Sequence, residues 1–187
     1  PQYRFLHRSF QEYFAARRLK QLIESPDSAD EAWATIKEKM WDPAWEEILT
    51  FLAELLPASN RKLPGHRLIK TLLDHGTEKI VITRRMLFLG CKCLDCTPEP
   101  PQQLGKEAVN QLLTLRDEWH LERDNYLFKL VPRYESAQEL FLERIYLKRQ
   151  DPSPLQAYKA LGRAAIYSPE VLSVLRQIAN NGEIIKK

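Results

Sequence analysis

Glycine is scarce in this sequence, and the shortage excludes the commonest way of holding a phosphate. Only 6 of the 187 residues are glycine, and neither a G-x-x-x-x-G-K-[ST] loop nor a G-x-G-x-x-G turn occurs. Both motifs rely on glycine so that backbone N–H groups can wrap a phosphate, so this stretch cannot bind a nucleotide by itself. Long apolar runs are missing as well. The longest, such as Met86 to Cys91, fall far below the ~20 residues a membrane helix requires, which argues against a membrane partner. No signal peptide is visible. Cysteine is sparse and odd in number: three thiols without an export signal fit a reducing cytoplasm rather than a disulfide framework. Excess charge of one sign is also lacking. The net charge is +3, with no lysine or arginine tail, which argues against nucleic acid as the principal partner. What remains is ordinary globular material, 44% apolar and 28% charged. A chain of this length buries roughly 70% of its unfolded surface, enough for one core or for an elongated stack of small ones.

The chain is organised around its beginning. Tyr3, Phe5 and Leu6 form a short apolar lead. Ser9 and Glu12 then make the S-x-x-E pattern in which each side chain satisfies an orphan backbone N–H, so a helix is expected to start at Ser9. At helical spacing Phe10, Tyr13 and Phe14 point one way, whereas Ala15, Ala16, Leu19, Leu22 and Ile23 point to roughly the opposite side. A surface helix normally keeps one apolar stripe. A stripe that changes sides predicts a helix at a junction, its first half packed on one body and its second half on another.

The same residues, Phe5-x-His7-x-x-Phe10-Gln11-Glu12-Tyr13-Phe14-Ala15-Ala16, resemble the signature that ends the winged-helix region of NACHT NTPases. That family of signalling (STAND-type) ATPases includes the animal NOD-like receptors and many bacterial proteins. Trp41-Asp42-Pro43-x-Trp45-x-Glu47 likewise resembles the segment next to the signature in bacterial members, where a Trp-Glu pair opens the next helix. The resemblance covers only a small part of the chain. It implies that the sequence is a C-terminal piece of a longer protein, with residues 1–24 ending the winged-helix region and acting as coupling helix. It implies that His7 reaches the phosphates of ADP bound upstream and helps to hold a closed, inactive state. ATP, ADP and Mg would then be cofactors of the parent, whose phosphate loop lies upstream, and of no part of this piece. The upstream NACHT and winged-helix domains would be its first partners.

Further along, the spacing predicts helices throughout. Asp30 to Met40 reads as a helix with Trp33 and Ile36 inward. Asp42 is expected as an N-cap with Pro43 at the first helical position, opening a helix through Trp45, Ile48, Leu49, Leu52 and Leu56 that Pro57 stops. Leu68, Ile69, Leu72 and Leu73 mark the next, with Gly76 expected as a left-handed cap. Leu87, Cys91 and Leu94 continue Ile80 at helical spacing, up to a stiff loop at Thr97 to Pro101. Leu104 to Leu115, Tyr126 to Leu130 and Ala137 to Ile145 carry further helical series. Ala160-Leu161-Gly162, followed by Pro169-Glu170-Val171-Leu172-x-x-Leu175, resembles a HEAT repeat. The expected fold is therefore all-α, with residues 25–187 forming a HEAT-like (armadillo-like) superhelix with one concave face.

Few constellations suggest chemistry. Cys91-x-Cys93-x-x-Cys96 has a spacing that thiolates can use to hold zinc, with His66, His75 or His120 as fourth ligand. Only one such cluster exists, and Cys91 falls in an apolar series, so the cysteines are read as small core residues and no metal is assigned. Glu38, Glu46-Glu47 and the basic patches Arg17-Arg18-Lys20, Arg61-Lys62 and Arg84-Arg85 read as outer helix faces. No catalytic set of side chains stands out, so the piece is expected to be non-catalytic. The expected function is a sensor and autoinhibitory arm of a NACHT-type switch, binding an unknown protein or other ligand on its helical array. In bacteria such systems are linked to antiphage defence. A stand-alone scaffold for protein binding is the alternative, and nucleic-acid binding through basic patches is a further one.

Overall fold

The computed structural model describes residues 8–58, 62–76, 81–98, 101–115, 120–134, 136–138 and 140. Among them every element is helical: α1 (Arg8–Glu24), α2 (Ala29–Lys39), a 3-10 turn (Pro43–Trp45), α3 (Glu46–Leu55), α4 (Pro64–His75), α5 (Val81–Cys96), α6 (Gln102–Thr114) and α7 (His120–Arg133). His7, Arg61, Trp119, Ile145 and the HEAT-like pair at 160–175 lie outside the described residues. No described helix is long and apolar enough to cross a membrane. The chain divides into two compact units, residues 1–104 and 105–187.

In the first unit α3 is the centre, packed on α1, α4 and α5. Its sequence explains why. Asp42 has extended backbone and its Oδ1 accepts the N–H of Ala44 at 2.9 Å, so the 3-10 turn opens with Pro43 where a missing N–H costs nothing. Leu49, Leu52, Ala53 and Leu56 then recur at helical spacing, all fully buried. Each such leucine contributes about 1.5–3 kcal/mol by leaving water. Pro57 forces Leu56 into extended backbone and ends the helix.

α2 follows α1 through a tight turn in which the Ser28 hydroxyl donates to the Leu22 carbonyl at 3.0 Å. Asp30 and Glu31 open α2, Lys37 and Lys39 close it, and this order complements the helix dipole. It buries Trp33 and Ile36, the inner face expected from the sequence, and Ala32 beside them.

Gly76 departs from expectation. Its φ of −72° is right-handed, and its N–H reaches the carbonyls of Leu72 and Leu73. Glycine stands there for space: a Cβ would lie 2.7 Å from Leu87 Cβ and 2.9 Å from Leu87 Cα. The residue therefore sets how closely α5 approaches the end of α4.

The second unit carries most of α6, and α7. Ala108, Val109 and Leu112 of α6 and Leu127, Leu130 and Val131 of α7 are buried, as is Tyr134 beyond them. The Arg123 guanidinium donates to the Leu115 carbonyl at 3.4 Å, which satisfies an acceptor just past the end of α6.

Candidate functional site

The opening helix has two faces, as its sequence predicts, but they are divided differently. Ala16 and Leu19 are buried, and α1 packs on α3 and α2. Phe10 and Phe14, one turn apart, remain 55% and 47% exposed. Tyr13 does not join them. Its ring meets Phe51 of α3 edge-on at 5.8 Å, so it belongs to the inward face, with Arg17 6.0 Å from its ring centroid. Tyr13 also touches Phe14 edge-on, which ties the exposed pair to the packed side.

Ser9 is not the N-cap. α1 already runs through Arg8, and Ser9 is helical and exposed. Without a non-helical serine, the reciprocal pattern cannot form. Glu12 instead accepts from Arg8 Nε at 2.8 Å, one turn back, and is itself buried. His7, the expected sensor, directly precedes the described part of the helix.

A second cluster joins α3 to α5, across two segments that read from sequence as separate solvated faces. Lys92 Nζ donates to Glu47 at 2.6 Å and to Glu46 at 3.3 Å. Arg85 donates to the Trp41 carbonyl at 3.3 Å and faces Glu46 at 3.6 Å, an ion pair too long for a hydrogen bond. Burial alone would lower the pKa of Lys92; the hydrogen bond and charge of Glu47, with Glu46 behind it, outweigh burial and raise it above the usual lysine value. The seven-residue spacing of Arg85 and Lys92 puts both on one face of α5, a signal present in the sequence. Nearby, Trp41 meets His75 edge-on at 5.3 Å.

The thiols are arranged for packing. Cys91 and Cys93 are fully buried, and burial pushes both far above the usual thiol range. Cys93 Sγ donates weakly to the Leu49 carbonyl at 3.7 Å. Among the described residues no group of three or more histidine, cysteine, aspartate or glutamate side chains is placed to hold a metal ion.

No family model, curated protein or solved structure matches the chain.

Proposed function

We propose that this chain is the sensor and autoinhibitory region of a NACHT-type signalling NTPase, with α1 as the element that couples a HEAT-like helical array to the winged-helix region. The observation that supports this reading is the division of α1. Ala16 and Leu19 anchor the helix to α2 and α3, while Phe10 and Phe14 keep about half their surface outward. A helix built in this way transmits a shift of the array to whatever rests on its outer aromatic pair. α4 packs closely on α5, a helix pairing that suits HEAT-like stacking.

In the parent, His7 contacts the ADP phosphates of the closed state. Ligand on the array moves α1, and the freed NTPase exchanges ADP for ATP with Mg and oligomerises. In a bacterial parent this switch would serve antiphage defence. The fragment itself is non-catalytic. The test is a substitution of the outer pair in the full-length parent: Phe10→Ser or Phe14→Ser should produce signalling without the trigger. Variants that are stably expressed yet silent would overturn the coupling role.

A second reading, a stand-alone protein-binding scaffold, is favoured by an open cleft in the first unit. The parent gene separates the two, because a phosphate loop upstream is required by the first and unexplained by the second.

A further inference from the structure

The end of α1, the start of α2, the exit of α3 and the first half of α4 enclose an open cleft of about 750 Å³. Its shape depends on Gly65. That residue's N–H donates to the Pro57 carbonyl at 3.0 Å, and a Cβ there would fall 2.7 Å from the same oxygen, so only glycine lets α4 start against the exit of α3. Ile23, Pro57, Leu63 and Trp33 give the cleft apolar walls.

Its charge is one-sided. Lys62, Arg67 and Lys70 line it, and among the described lining residues Glu24, which pairs with Lys20 at 3.1 Å, is the one carboxylate. Lys70 is held by Asp74. Arg67 differs: its guanidinium lies 4.3 Å over the buried ring of Trp33, and among the described residues no carboxylate pairs with it. This cation–π contact holds the guanidinium against the ring without using its N–H donors. Arg67 is exposed, so its N–H donors are open to a carboxylate, which a guanidinium can take with two parallel hydrogen bonds.

We propose that this cleft is a docking site for an acidic peptide segment, in which a carboxylate pairs with Arg67 over Trp33 and a neighbouring apolar side chain lies on the Leu63 and Pro57 wall. Nucleic acid suits the cleft less well. A polyphosphate backbone is held by a row of available cations, whereas here Lys62 and Lys70 already have partners and Glu24 faces the same space, which leaves the single fork of Arg67. The proposal deepens the partner-binding part of the function proposed above, and rests on it only in assigning ligand capture to the helical region.

The test is fluorescence anisotropy of the 187-residue chain with a short labelled peptide of alternating glutamate and leucine. A peptide with glutamine in place of glutamate and a single-stranded oligonucleotide serve as competitors. The wild-type chain should bind the acidic peptide, and Arg67→Gln should weaken it roughly tenfold or more, the loss expected for a charged hydrogen-bonded pair. Arg67→Lys should recover only part, because it keeps the charge but not the fork. Arg18→Gln, at an exposed cation outside the cleft, should bind as wild type. Circular dichroism checks that each variant is folded. The proposal is overturned if wild type fails to bind, if Arg67→Gln binds equally, or if the glutamine peptide or the oligonucleotide competes as well as unlabelled acidic peptide. A parent lacking bound nucleotide would sink the switch and leave this binding intact; absence of binding would sink the cleft and leave the switch intact.

Discussion

Burial within α5 decides how the individual thiols react. Cys91 and Cys93 are fully enclosed and their pKa values are raised by desolvation, while Cys96 is half-buried. Only a thiolate attacks a disulfide reagent quickly. With a chromogenic disulfide at mildly alkaline pH, the native chain should therefore show at most one fast thiol, and all three only in denaturant. Three fast thiols in the native state would contradict the packing of α5 on α3. Gly76 gives a second residue-scale prediction with opposing terms. Alanine fits the right-handed φ of this cap and restricts the unfolded chain, a gain of about 0.4–1 kcal/mol, but its methyl group would press on Leu87. Overpacking costs about 1–3 kcal/mol, and backbone yields less readily than a side-chain tip. Gly76→Ala should lower the urea midpoint; a raised midpoint would mean that the two helices are further apart than described.

Between elements, the link from α3 to α5 depends on the protonated state of Lys92. Its folded pKa is raised, so its stabilisation is complete below the unfolded lysine value, about 10.4, and is lost as pH rises through the higher folded value. Wild type should exceed Lys92→Met in unfolding free energy at neutral pH, and the gap should close in strong alkali. A gap that is constant with pH would assign the effect to packing of the lysine stem. This link also marks where sequence reading stops. α3 is legible because Asp42, Pro43, the leucine spacing and Pro57 are all local signals that agree. The pairing of Lys92 with Glu47 spans 45 residues and depends on how two helices are aligned, which neither helix encodes alone. The same applies to the stack of Arg67 on Trp33. At Ser9 the motif is genuine but does not mark the boundary: S-x-x-E does not state whether the helix has already begun, and here it has. Gly76 suggests backbone freedom at a helix end and serves instead for close approach. Tyr13 groups with its aromatic neighbours by periodicity, which cannot reveal Phe51 beneath it.

At the scale of the whole molecule, the proposed function is a relay: the helical region, the divided opening helix and His7 would together carry a ligand event to a nucleotide site elsewhere in the parent. Such a relay needs differential contacts in two states. In the proposed relay the half-exposed pair Phe10 and Phe14 would supply contacts made in a closed state and lost in an open one, and the cleft beside Arg67 would be where the ligand acts. The most direct measurement is the nucleotide released on denaturing the purified full-length parent, wild type against His7→Ala. ADP is expected from wild type, and little or none from the variant. Equal ADP in both would remove His7 from the switch, and a wild-type parent that carries no nucleotide would contradict the relay itself.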